Sequence, residues 1–109
     1  MFSTSPITSK LYLKRKLILR GNLFRGYGEY YAIPPEIGKQ TELKELDLSS
    51  NYIGGSIPST FGNLSSLEYL NLSNIGLIGS IPRELCQLTN MVELSLHLNS
   101  ITGEILTDA

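Results

Sequence analysis

A single cysteine, Cys86, and a single histidine, His97, occur among the 109 residues. One thiol cannot close an internal disulfide, and one imidazole cannot complete a zinc site with it, so disulfide scaffolds and metal modules are excluded. Long apolar runs are also missing. The longest are short pieces such as Leu17-Ile18-Leu19, far below what a helix needs to cross a bilayer. No secretory leader is expected, because MFSTSPITSK is polar and Lys14, Arg15 and Lys16 interrupt the apolar stretch behind it. Acidic residues are absent from positions 1–28, which carry six basic residues, whereas the remaining 81 carry three basic and ten acidic ones. That head fits a solvated face beside apolar residues, with phosphate or membrane binding or an organelle transit peptide as the other possibilities. A hydrophobic content of 41% and a mean hydropathy of +0.02 suit one small domain.

What is present is a repeat. Leu43, Leu67 and Met91 stand 24 residues apart, and the same step relates Leu46, Leu70 and Leu94, then Leu48, Leu72 and Leu96. It also relates Ile53, Leu77 and Ile101, then Gly55, Gly79 and Gly103, then Ile57, Ile81 and Ile105. Units are therefore expected at 43–66, 67–90 and 91–109, the last truncated, with Leu106 where proline stands in the others. An earlier unit, 17–42, has the same spacing through Leu17, Leu19, Asn22, Phe24 and Gly26. Five residues are inserted before Ile33-Pro34, within the Tyr-rich segment Tyr27–Ala32. Tyr27, Tyr30 and Tyr31 fit an exposed recognition loop or a splice scar. Residues 1–16 are expected to be a basic segment, poorly ordered or a degenerate repeat.

Alternation of Leu46 and Leu48 in LKELDLSS has the two-residue period of a short strand with leucines inward and Glu45, Asp47 and Ser49 outward. Asn22, Asn51 and Asn99 stand where the chain leaves the strand, and their amides can satisfy backbone groups of the neighbouring turn. Gly55 and Gly79 permit a positive-φ turn, and Pro58 and Pro82 fix the next bend. The returning limb, PSTFGNLSSL or PRELCQLTNM, spaces its apolar residues for a helix or 3₁₀ turn. No unit can bury its apolar side alone, so stacking supplies the core. In unit 67–90 Ile75 replaces the ladder asparagine and Asn74 precedes it by one residue. A turn group is expected to lose its partner there unless Asn74 reaches it, and Ile75→Asn to raise the melting temperature.

The strings LKELDLSSNYIGGSIPSTFGNLSS and LEYLNLSNIGLIGSIPRELCQLTN resemble the plant-type leucine-rich repeat, LxxLxLSxNxLxGxIPxxIGxLxx, of plant receptor-like kinase ectodomains and related proteins. The resemblance implies an α/β solenoid: a right-handed superhelix with short parallel strands on its concave face and a mostly irregular or 3₁₀ convex side. It also implies that the IP segment forms a second short strand on one flank. Such ectodomains lie outside the cell and read peptides, other ligands or co-receptors, with a kinase across the membrane. They carry more units, a cysteine-bearing cap, a signal peptide, a membrane helix and a kinase domain. A fragment or truncated product of a receptor-like protein, placed by resemblance at the cell exterior, is the expectation.

No catalytic, cofactor-binding or metal-ligating residues emerge, and no cofactor is expected. Cys86 and His97 face opposite sides of the expected solenoid, so they cannot form a nucleophile pair. Gly26-Tyr27-Gly28 lacks the remainder of a phosphate-binding loop. Parallel strands instead place outward side chains in rows about 4.8 Å apart. One row is Lys16, Glu45, Tyr69 and Glu93; the next is Ile18, Asp47, Asn71 and Ser95; the third is Arg20, Ser49, Ser73 and His97. Tyr69 and His97 are the expected anchors. Acidity around Glu45, Asp47 and Glu93 favours a basic peptide, and the partner is expected to be a peptide, a protein or another solenoid rather than a nucleic acid. Alternatives are an assembly fragment or short standalone repeat protein that pairs with other solenoids through its end repeats, and a stub without function or fold of its own. Sequons occur at Asn63-Leu64-Ser65 and Asn71-Leu72-Ser73. Asn63 is expected on a convex-side turn, whereas a glycan on Asn71 would cover the concave rows.

Overall fold

Each coil carries three extended residues whose central leucine lies on the inner side while its two neighbours, mostly polar, lie on the outer side, the two-residue period of a short strand. The computed structural model describes residues 15–18, 20–21 and 32–103. Within them lie β1 (Lys16–Ile18), β2 (Glu45–Asp47), β3 (Tyr69–Asn71), β4 (Ile78–Gly79), β5 (Glu93–Ser95) and β6 (Ser100–Ile101). Strands β1, β2, β3 and β5 form one parallel sheet in that order. Leu17, Leu46, Leu70 and Leu94 are register partners along it. The step from β1 to β2 is longer than the others by the five inserted residues. Leu19, Asn22, the glycine pair around Tyr27 and the tyrosines at 27, 30 and 31 lie outside the described residues, as do Ile105 and Leu106.

Opposite the sheet, among the described residues, run three 3₁₀ helices: η1 (Pro35–Lys39), η2 (Ser59–Asn63) and η3 (Arg83–Gln87). Proline starts each one. Pro34, Pro58 and Pro82 sit at the N-caps with φ between −64° and −66°, the value their rings impose. Between sheet and 3₁₀ layer the core runs the length of the stack. Leu43, Leu46, Leu48, Phe61, Leu64, Leu67, Leu72, Ile75 and Leu77 have no accessible surface.

Stacking is tight enough to dictate residue size on the convex side. A Cβ on Gly62 would lie 2.7 Å from Glu84 Cβ and 2.9 Å from its carbonyl oxygen, and one on Gly38 would meet the Thr60 backbone. Cys86 holds the same place in the third unit and is half-buried.

Backbone conformation also repeats. Gly21, Ser50, Asn74 and Leu98, one per coil, are all left-handed, with φ of 68°, 59°, 55° and 60°. Each of the first three donates its N–H to a carbonyl of the next coil: Gly21 to Ser49, Ser50 to Ser73 and Asn74 to His97. Asparagine tolerates this region better than most residues, which accounts for Asn74 one place before the ladder.

The deficit expected at Ile75 is therefore corrected. Asn99 Oδ1 accepts the N–H groups of Ile75 and Leu77 at 3.0 Å each, and its Nδ2 donates to the Leu72 and Leu96 carbonyls. The Ile75 carbonyl in turn accepts Ile53 N–H at 3.3 Å and Gly54 N–H at 2.8 Å. Ile75→Asn would exchange a fully buried apolar side chain for an amide whose bonds Asn99 already largely makes, so it lowers rather than raises the melting temperature. The flank strand is also relocated. It forms at Ile78–Gly79 and Ser100–Ile101, ahead of the IP pair, since Pro82 has no N–H to donate and caps η3 instead.

Candidate ligand-binding face

Register determines which side chains share the sheet's outer face. Lys16, Glu45, Tyr69 and Glu93 are partners across β1, β2, β3 and β5, and so are Ile18, Asp47, Asn71 and Ser95. The strand register thus reproduces the first two of the three expected rows. A depression of about 360 Å³ opens between them, lined by Arg20, Glu45, Asp47, Tyr69, Asn71, Glu93 and Ser95 together with Leu46 and Leu70.

Exposure departs from expectation in the second and third rows. Asp47, Ser49 and Ser73 are buried rather than solvated, at 3%, 4% and 6% exposure. The cause is local hydrogen bonding in the D-L-S and N-L-S tripeptides. Asp47 Oδ1 accepts Ser49 N–H at 3.0 Å, and Asn71 Oδ1 accepts both the N–H and the hydroxyl of Ser73, at 3.1 and 2.7 Å. These are Asx turns, which hold the chain as it leaves the strand. Arg20 then lies over Asp47, its Nε and Nη2 donating to Oδ2 at 3.1 and 2.6 Å. Burial alone would raise the Asp47 pKa. Hydrogen bonds from Ser49 and the charge and hydrogen bonds of Arg20 outweigh it, holding the carboxyl below its ordinary value. Arg20 is correspondingly raised by its hydrogen bond to Asp47 and by that residue's charge.

Ion pairing follows a rule that spans adjacent coils. Carboxylates at the strands pair with a cation from the coil before: Glu42 with Arg15 at 4.0 Å, Glu45 with Lys16 at 3.7 Å, Asp47 with Arg20 at 2.6 Å and Glu68 with Lys44 at 3.8 Å. The signal was available as cations 24 to 29 residues ahead of acids. The acidity expected of the whole face is thereby reduced to one place. Glu93 is exposed and has no ion-pair partner among the described residues.

Tyr69 and Ile18 are exposed at 41% and 43%; His97 is exposed, Ser95 and Asn71 half-buried. Cys86 lies on η3 and His97 beyond β5, on opposite sides of the coil. Among the described residues no group of three His, Cys, Asp or Glu side chains is placed to hold a metal ion, and no helix is long and apolar enough to cross a membrane. Of the sequon asparagines, Asn63 is exposed at the end of η2 and Asn71 lies half-buried inside β3.

Comparison with known proteins gives the same architecture. A family model described as leucine rich repeat matches residues 41–101, more than half of the chain. The LRR ectodomain of the plant membrane receptor kinase GASSHO1/SCHENGEN3 from Arabidopsis thaliana, in complex with CASPARIAN STRIP INTEGRITY FACTOR 2, superposes with a TM-score of 0.76. It is 39% identical over 83% of this chain and 10% of its own. The Arabidopsis receptor kinase HAESA, in complex with the peptide hormone IDA and the co-receptor SERK1, gives 0.69 and 34% identity over 72% of this chain and 14% of its own. A plant ice-binding protein gives 0.74 and 37% identity over 84% and 28%. The chain thus spans less than a third of the length of each of these structures. A search of curated proteins finds no match.

Proposed function

The chain belongs to the leucine-rich-repeat family, and from that premise we propose that it is a non-catalytic binding module. It holds an extended peptide or a partner protein along the outer face of β1, β2, β3 and β5. Its role is ligand perception outside the cell, within a plant receptor-kinase ectodomain of the kind it resembles. The observation that carries this reading is the depression across the sheet. There Tyr69, which offers a broad apolar body with a polar edge, stands exposed beside Glu93 and Ser95. Asp47, Ser49 and Ser73 shape the face from beneath, while Lys16, Ile18, Arg20, Glu45, Tyr69, Asn71, Glu93, Ser95 and His97 offer surface to a ligand. Asn63, on the opposite side, would carry a glycan without covering it.

The test is selection of binders from a randomised peptide library against the folded chain, followed by mapping of amide chemical shifts. Perturbations clustered on β3 and β5 support the reading; perturbations confined to η1, η2 and η3 contradict it. One observation favours a second reading, pairing with another solenoid. Leu94 is 41% exposed although its counterparts Leu46 and Leu70 are at 0% and 1%, and Leu98 and Val92 nearby are 72% and 68% exposed. A mass that rises with concentration in light scattering would identify that mode.

A further inference from the structure

In the first row of the face a position that elsewhere holds a cation is filled by an aromatic ring. Lys16 stands opposite Glu45 in register and pairs with it. One coil on, Tyr69 stands opposite Glu93 in the same relation, and neither has a side-chain partner among the described residues. Tyr69 is also the register partner of Glu45 on its other side. Its ring is therefore flanked by carboxylate-bearing positions at one strand spacing in either direction, about 4.8 Å. Lys16 holds Glu45 only loosely, at 3.7 Å with 73% of its side chain exposed, and such surface pairs contribute little and yield to competitors.

From this arrangement we infer that the row Glu45, Tyr69, Glu93 is a subsite for an arginine side chain of an extended peptide. The inference rests on the peptide-binding reading of this face and names the chemistry that the face selects. A guanidinium plane stacks on the tyrosine ring, attracted by its negative face. Its fork of N–H donors reaches the Glu93 carboxylate and, on the other edge, Glu45. The ligand thus completes the ion-pair rule that the chain follows at Glu42, Glu45, Asp47 and Glu68. Lysine fits less well, because a compact ammonium cannot stack and address two carboxylates together. Asp47 takes no part, being buried beneath Arg20.

The probe is an acetylated and amidated glycine-serine nonapeptide with one central arginine, titrated into the full chain and followed by amide chemical shifts. Matched peptides carry citrulline or lysine at the same place. Saturable shifts at Tyr69 and Glu93 are expected with arginine, about tenfold weaker binding with citrulline and an intermediate result with lysine. Glu93→Gln, an exposed substitution that leaves the core intact, is expected to weaken the arginine peptide about tenfold. Equal binding of the arginine and citrulline peptides, indifference to Glu93→Gln, or no saturable shift at millimolar arginine peptide would each overturn the inference. Library-selected peptides separate the two levels of the argument. If they still map to β3 and β5 without needing arginine or Glu93, the subsite falls and the face stands; if they map elsewhere, the face itself falls.

Discussion

At the scale of single residues, the left-handed position of each coil provides the sharpest test of how local conformation and stacking combine. Leu98 occupies it with φ of 60° and 72% of its surface exposed. A leucine there bears the steric cost of its Cβ against the backbone and gains little from burial. Leu98→Asn is expected to stabilise the chain by about 1 kcal/mol, read as a rise in thermal midpoint. An unchanged or lower midpoint would show that the leucine packs where the structure leaves it open. Asp47 provides a second test, through pH. Because its folded pKa lies below the ordinary 3.8, the stability its ionised form contributes is complete above that value. It is lost as pH falls through the lower, folded value. Asp47→Asn keeps an oxygen for Ser49 N–H but loses the charge facing Arg20, most of whose side chain is exposed and solvent-screened. It is expected to cost about 1 kcal/mol at neutral pH. The gap between variant and parent should close in melts performed progressively below pH 3.8; a gap constant down to strong acid would deny Asp47 its ion pair.

Elements of this fold are too short to be stable alone. Three-residue strands and five-residue 3₁₀ helices hold together because each coil's polar backbone finds partners in the next. Lys44 O accepts from Glu68 and Tyr69, and Glu68 O accepts from Val92 and Glu93. The convex side is correspondingly intolerant of added volume. Gly62→Ala places a Cβ 2.7 Å from that of Glu84, and the 3₁₀ helices must part to admit it. A loss of about 2 kcal/mol in denaturant unfolding is expected. Cys86→Ala, at the same place in the third unit, should change stability by less than about 1 kcal/mol, since it removes one sulfur from a half-buried site. Equal effects at both sites would mean that η2 and η3 are not stacked as described. Much of this level was legible beforehand. The 24-residue step predicts the first two strand rows, and the glycines within it the positive φ of Gly55 and Gly79. The flank strand was misplaced, because IP reads as extended while the hydrogen bonds that make a strand need the N–H groups ahead of proline.

For the whole molecule the account is one of nearest neighbours: a row of coils in which core, backbone bonds and ion pairs all run along the stack. Features that recur every 24 residues could be read from sequence because the physics repeats with them. What the sequence concealed lies between coils. Arg20 covers Asp47, and the strand carboxylates take their cations from one coil earlier, so an acidic-looking face is nearly neutral outside Glu93. None of these follows from a single unit's pattern, since each depends on which side chain leans across the gap. The contact surface exists only if the strands lie in parallel at the stated register. That register is measured most directly by trans-hydrogen-bond scalar couplings in the labelled chain. Couplings are expected from the Tyr69 amide to the Lys44 carbonyl, from Leu48 to Asn71 and from Leu72 to Ser95. Couplings shifted by even one residue would turn the leucines outward and contradict both fold and face.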